Sequence, residues 1–91
     1  MMTRREYSRS YKKIMKEVKL RDNFSCQFPE CNRKNIQVHH ILRHANFPTL
    51  RENPKNLICL CNKHHKQVTK KEEIYGPLLS RIVARKYDNN T

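Results

Sequence analysis

Residues 56–65 decide the fold, and they read NLICLCNKHH. The apolar run at 57–60 is a candidate strand, and the basic stretch at 62–71 suits a short helix. Cys61 and His64 lie where the two meet, with two residues between them. This spacing allows both side chains to hold one metal ion from a single turn. The stretch therefore predicts a strand that enters a helix at a metal site.

A second pair of candidate ligands precedes this stretch. Cys26 and Cys31 are separated by four residues, and Pro29 helps to fold the loop between them back on itself. With Cys61 and His64 they form the four-ligand set that a structural zinc ion prefers. Zinc binding in small modules contributes on the order of 10 kcal/mol to folding. The spacing thus predicts a Zn²⁺ ion that joins the two loops.

Two other residues compete for the zinc site. Cys59 is close in sequence, but it alternates with Leu57 along the candidate strand, so we interpret it as a small buried apolar side chain. His39 is an alternative to His64 as the fourth ligand. Coincidental reduced thiols are the remaining alternative.

The other elements follow from periodicity and chain breakers. Residues 8–21 lack Gly and Pro and repeat apolar residues at helical spacing, which predicts an N-terminal helix. Residues 36–41 form a second strand candidate, and 42–56 an irregular loop. Gly76-Pro77 is expected to break the chain before a last helix at about 77–87. The prediction is one small α+β domain over 1–91, with its core at about 20–70.

Composition limits the size of the core. The 91 residues are 36% hydrophobic, include no Trp and have a mean hydropathy of −0.98. So small a core usually needs disulfides, a metal or a partner subunit. The N-terminus is polar and lacks the apolar segment of a signal peptide. We therefore expect an intracellular protein with metal-bound thiolates, and we expect no membrane partner because no apolar run is long enough to span a bilayer.

The charge balance points to a polyanion. Twenty Lys and Arg against eight Asp and Glu give a formal charge of +12. Such an excess is typical of nucleic-acid binding, although it can also serve solubility alone. The basic residues are spread along the whole chain, which argues against a membrane-surface helix. The charge therefore predicts DNA or RNA as the partner and does not decide between them; of the two, we expect DNA.

Paired histidines complete the pattern. His39-His40 lies on the first strand candidate and His64-His65 on the helix candidate, with Asn56 between them. In this order the sequence resembles the HNH endonuclease family, whose ββα-metal fold is two strands and a helix around one divalent ion. The segments that carry the resemblance lie within about residues 20–66, and they are 21–26, 38–41, 56–58 and 60–65.

The resemblance implies a role for each residue. His40 would be the general base, while His39 and His65 would hold a catalytic divalent ion such as Mg²⁺, Mn²⁺, Ni²⁺ or Zn²⁺. Asn56 would tie the long loop to the strand and orient the base. Cleavage would leave 5′-phosphate and 3′-hydroxyl ends. The chain departs from the family pattern in having His39 where an aspartate is frequent and His64 where a cysteine is common.

Each role has a simpler alternative. His40 can be a hydrogen-bonded core histidine, and Asn56 a turn residue. Arg43, His44 and Arg51 are candidate phosphate contacts in the long loop, or ordinary surface residues. As a whole, the chain can instead be a zinc-dependent nucleic-acid binding module without hydrolytic activity.

The expected biological setting follows from the resemblance alone. Small proteins of this kind resemble nucleases of phages and mobile elements, some of which work beside a DNA-packaging motor. This implies the cytoplasm of a bacterial or phage-infected cell and a possible packaging component as partner. The chain is expected to be a monomer or a weak dimer.

Overall fold

Two strands and three helices are present in residues 9–42 and 52–88, the part of the chain described by the computed structural model. A 3₁₀ turn at Pro54–Asn56 precedes the second strand. The two strands pair antiparallel, which confirms the predicted small α+β class. In chain order the elements are α1 (Arg9–Arg21), β1 (Ile36–His40), β2 (Leu57–Cys61), α2 (Asn62–Lys70) and α3 (Glu72–Tyr87).

Helix α1 is amphipathic and ends in a capping motif. Tyr11 and Val18 are buried on one side, whereas lysines cover the other. At its C-terminus Asn23 adopts the left-handed conformation with φ 58°, and its backbone N–H bonds to the Leu20 carbonyl. The N–H of Phe24 reaches back to the Lys19 carbonyl at 2.8 Å. This pair of bonds is a Schellman cap, and it turns the chain into the loop that carries Cys26.

The strand register places the two adjacent histidines on opposite faces of the sheet. His39 is opposite Ile58, and His40 is opposite Leu57. Successive side chains of a strand alternate between faces. The His40 face packs on α1, where Val18 contacts the buried side chains of β2. The His39 face is covered by α2 and α3, whose buried residues include Val68, Leu79 and Val83.

A buried ion pair joins three elements around the sheet. The Arg21 guanidinium makes two bonds to the Asp22 carboxylate, at 2.7 and 2.9 Å, and a third to the Leu57 carbonyl. The same carboxylate accepts the backbone N–H of Cys59 at 3.1 Å, and Lys86 of α3 approaches it to 3.7 Å. Because Asp22 is fully buried, these partners are what make its charge tolerable there. They fix α1 and α3 to the second strand.

The last helix begins earlier than predicted. Gly76-Pro77 was expected to break the chain, but both residues lie inside α3, which starts at Glu72. Pro77 removes one backbone donor from the helix. The side chains of Leu79 and Val83 in the following turns are nevertheless completely buried in the core, and Glu72 and Glu73 place favourable negative charge in the first turn. Tertiary packing therefore overrides the local breaker.

The helices are short and strongly charged. Within residues 9–42 and 52–88, no helix is long and apolar enough to cross a membrane.

Candidate metal centres and catalytic site

Four predicted zinc ligands converge at one end of the sheet. The ligand atoms of Cys26, Cys31, Cys61 and His64 all lie within 4.8 Å of one another. His64 Nδ1 is 3.3 Å from the Cys61 sulfur and 3.6 Å from that of Cys26, and the Cys31 and Cys61 sulfurs are 4.0 Å apart. Metal–sulfur bonds of about 2.3 Å give a tetrahedron with edges of roughly 3.8 Å. The cluster can therefore hold a metal ion such as zinc.

Local structure explains how these ligands meet. Cys61 ends β2 and is also the N-terminal cap residue of α2, so His64 follows within the first helical turn. Cys26 donates its N–H to the Arg33 carbonyl, which closes the loop around Cys31. The next residue, Gln27, donates its N–H to the Cys59 carbonyl at 3.0 Å. These backbone bonds attach the loop to β2 independently of any ion.

The thiols of the cluster differ in acidity. Burial raises the pKa of Cys26 to about 11. Burial also opposes ionisation of Cys61, but hydrogen bonds from the His64 backbone and from the neighbouring thiols lower its pKa below the ordinary value. A position at a helix N-terminus favours the thiolate. Cys61 is thus more readily a thiolate than Cys26, which would release its proton when a cation binds.

Aromatic rings cover the histidine ligand. Phe28 stacks on His64 with ring centroids 4.2 Å apart and an angle of 7° between the planes. Tyr75 of α3 packs against the Phe28 ring, with ring centroids 5.7 Å apart. Its hydroxyl accepts a 2.8 Å hydrogen bond from the Gln67 side chain. Burial, followed by the charges of Lys63 and Arg33, lowers the pKa of His64. The lowered pKa favours the neutral imidazole, which is the form that binds metal ions, and the stacked Phe28 ring restrains its orientation.

Cys59 is outside this cluster. Its side chain is completely buried in the layer between the sheet and α1. Burial, and then the negative charge of Asp22, raise its pKa to about 12. The thiol is therefore protonated and has the environment of a small apolar side chain.

A second pair of imidazoles meets on the face of the sheet that carries α2. His39 and His65 contact each other edge to face, with ring centroids 5.2 Å apart. His39 is buried, and its Nε2 atom has no hydrogen-bond partner among the described residues. A buried polar atom without a partner is costly unless something binds it. The arrangement suits a cation that binds Nε2.

The surroundings of His39 favour its neutral ring. Burial, and then the nearby His65, lower the pKa of His39 to about 4, and Glu72 at the start of α3 opposes the shift. A neutral imidazole is the form that binds metals. Among the described residues only the cysteine-rich cluster contains three or more grouped ligands. An ion held by His39 and His65 would keep positions open for water and substrate oxygens.

His40 lies on the opposite face and contacts α1. The hydroxyl of Tyr11 is 3.1 Å from His40 Nε2, and the two rings are stacked with centroids 5.9 Å apart. Tyr11 is one of the apolar positions that repeat at helical spacing within residues 8–21, and that pattern gives its hydroxyl no role. A tyrosine on the buried face of a helix normally finds a hydrogen-bond partner for its hydroxyl, and this was the sequence signal that could have pointed to a polar contact here.

Asn56 fixes the chain just after the histidine pair. Its carbonyl oxygen accepts the Leu42 N–H at 2.9 Å, and its amide donates to the Leu42 carbonyl at 3.1 Å. The Asn56 backbone carbonyl accepts the Ile41 N–H at 2.8 Å. The residue therefore ties the start of the long loop to the strand.

The remaining predicted contacts, Arg43, His44 and Arg51, lie outside the described residues. Comparisons with protein-family models, with curated proteins and with solved structures found no match to this chain.

Proposed function

We propose that the chain is a metal-dependent DNA endonuclease with the HNH layout, in which a structural zinc and a catalytic divalent ion occupy separate sites. The observation that carries the proposal is the contact of His39 with His65, beside a buried Nε2 atom of His39 that has no hydrogen-bond partner within residues 9–42 and 52–88. A binding module that needs only its zinc gives no reason for a second group of ligands. The order of the sequence motifs supports the same reading.

The roles in the reaction follow from the chemistry of a phosphodiester. Hydrolysis needs a deprotonated water in line with the leaving oxygen and positive charge near the scissile phosphate. His40 would take the proton of that water, since an imidazole titrates near neutral pH. The ion held by His39 and His65 would supply Lewis acidity at the phosphate. Asn56 would keep the strand end in place by its bonds to Leu42.

The charge of the chain supports DNA as substrate. The net charge of +12 would attract the phosphate backbone, and α2 exposes lysines around one surface cavity. With about 5 phosphate contacts, log K against log[salt] would have a slope of about −4 to −5. A binding constant that depends much less steeply on salt would mean that the positive charge of the chain does not serve to bind DNA. The lysines that line the cavity are Lys63, Lys66, Lys70 and Lys71.

A plasmid-nicking assay tests the proposal. Zinc-loaded protein is incubated with supercoiled DNA and Mg²⁺, Mn²⁺, Ni²⁺ or Zn²⁺, beside the variant His40→Ala. Loss of a general base lowers the rate by roughly 10²- to 10⁴-fold, and we expect a loss in this range. The control is His64→Cys, which would keep four zinc ligands and retain nicking. No nicking by the wild-type chain with any of these ions would contradict the proposal.

A further inference from the structure

Tyr11 contacts His40 across 29 residues of sequence. The phenol is 3% exposed and combines a 3.1 Å contact between its hydroxyl and His40 Nε2 with ring stacking at an interplanar angle of 17°. The hydrogen bond restrains the direction of Nε2, and the stack restrains the plane of the ring. Together they limit rotation of the imidazole about both of its side-chain torsions.

The hydrogen bond also bears on the tautomer of the ring. A neutral imidazole carries one N–H donor and one nitrogen lone pair. If Nε2 carries the hydrogen and donates it to the Tyr11 oxygen, Nδ1 keeps its lone pair. A general base needs that free lone pair within reach of its water. The opposite tautomer would use Nε2 to accept from the phenol and leave no basic nitrogen.

Tyr11 is itself held by the packing of α1. About two turns further along the helix, Val18 is buried against β2. At the helix end, Arg21 bonds to the carbonyls of Pro54 and Leu57 at 2.9 and 2.7 Å. These contacts attach α1 to the strand opposite His40. The phenol therefore has a fixed position relative to the ring it contacts.

We propose that Tyr11 is a positioning residue, which accepts a hydrogen bond from His40 Nε2–H and so presents Nδ1 to the attacking water. The inference rests on the proposed nuclease function. In the reaction, one water O–H bond breaks as its proton passes to Nδ1. The oxygen forms a bond to phosphorus, and the bond from phosphorus to the 3′ oxygen breaks. The electron pair of that bond leaves on the 3′ oxygen, which takes a proton from solvent water to become the 3′-hydroxyl. The imidazolium keeps its Nε2–H bond to Tyr11 throughout.

The variant Tyr11→Phe tests this role, because it keeps a stacking ring and removes only the oxygen. Losing one hydrogen bond of ordinary strength predicts a fall in kcat of roughly 2- to 12-fold. KM for the plasmid should stay unchanged, because Tyr11 does not contact substrate in this account. The control is Tyr87→Phe, which removes a hydroxyl that bonds to Arg21 on an exposed part of the surface. We expect the control to nick at the wild-type rate.

A spectroscopic measurement keeps the proposal testable even if the variant folds poorly. Long-range ¹H–¹⁵N spectra of the zinc-loaded wild-type chain report which nitrogen of His40 carries the hydrogen. We expect Nε2–H in the wild type and a mixture of tautomers in Tyr11→Phe. A wild-type ring protonated on Nδ1 alone would overturn the proposal.

The possible outcomes distinguish a failure of the positioning role of Tyr11 from a failure of the proposed nuclease function. If the wild-type chain nicks DNA and Tyr11→Phe nicks equally well, the positioning role is wrong and the nuclease function stands. A change in KM with constant kcat would make Tyr11 a substrate contact and would also overturn the role. If the wild type leaves the plasmid intact with every ion, both the function and the role fall together.

Discussion

The cysteine-rich cluster and the histidine pair are both groups of metal-binding side chains, but they differ in how complete they are. Cys26, Cys31, Cys61 and His64 bring four ligand atoms within 4.8 Å of one another. The other group brings two imidazoles together and leaves a buried nitrogen without a described partner. Structural zinc sites are closed, whereas catalytic sites keep an open position. This difference is the basis on which we propose a structural role for the first group and a catalytic role for the second.

The largest expected effect comes from removing one ligand of the cysteine-rich cluster. We expect Cys61→Ser to lose zinc and most of the folded structure, because zinc binding contributes on the order of 10 kcal/mol in small modules. Circular dichroism and metal analysis would measure this. Cys59→Ala is the matched control, since that thiol is buried outside the cluster, and it should keep one zinc per chain. A folded, zinc-free Cys61→Ser protein would contradict the assignment of stability.

Removing a ligand from the open pair should change chemistry without changing the fold. We expect His65→Ala to reduce nicking by at least about 100-fold, because a bound ion supplies several kcal/mol of transition-state stabilisation. Its thermal unfolding and its zinc content should match the wild type. Gln67→Ala, an exposed change on the same helix, is the control for α2. Unfolding of His65→Ala would show that the pair also supports the structure.

The buried imidazole of His39 should make the stability of the folded protein depend on pH. The pKa of His39 is about 4 in the folded protein and 6.5 for an ordinary histidine. Between these pH values the unfolded chain binds the extra proton, so stability falls as the pH drops from 6.5 towards 4. We expect His39→Phe to abolish this loss, which amounts to at most about 3 kcal/mol.

The measurement is denaturant unfolding of both proteins, each with one equivalent of zinc, from pH 7 to pH 5. The zinc ligands titrate in both proteins, so the difference between them isolates His39. Parallel stability curves for the two proteins would contradict the buried, neutral state of this ring.

The smallest effect is expected from replacing Phe28, whose ring is stacked on the zinc-ligand candidate His64. Phe28→Leu keeps an apolar side chain but removes the ring stacked on His64. Aromatic pairs contribute about 0.5–1.5 kcal/mol beyond burial, so zinc should dissociate roughly 2- to 12-fold faster to a chelator. An unchanged rate would show that the four ligands alone hold the ion.

Local patterns predicted much of this molecule. Apolar periodicity located α1, both strands and α2 to within a residue or two, and cysteine spacing indicated which four side chains meet. Strand alternation separated His39 from His40, because that property depends only on the chain itself. These features are encoded within short stretches, so a single sequence is enough to read them.

Features that depend on distant partners were not predictable in the same way. Asp22 directly follows the predicted N-terminal helix, and nothing in its local sequence indicates that its carboxylate is buried against Arg21 and the backbone of Cys59. Tyr11 meets His40 across 29 residues. Gly76-Pro77 predicted a break that core packing of α3 overrides. In each case the deciding contact comes from an element far away in sequence, which local spacing cannot specify.

The central claim is that the cysteine-rich cluster and the His39–His65 pair bind separate ions. Calorimetric titration of a second divalent ion into the zinc-loaded chain tests it most directly. With Ni²⁺ we predict one further binding site per chain, which His39→Ala and His65→Ala abolish while His64→Cys preserves it. A chain that binds no second ion, or that binds it equally well without these two imidazoles, would contradict the account.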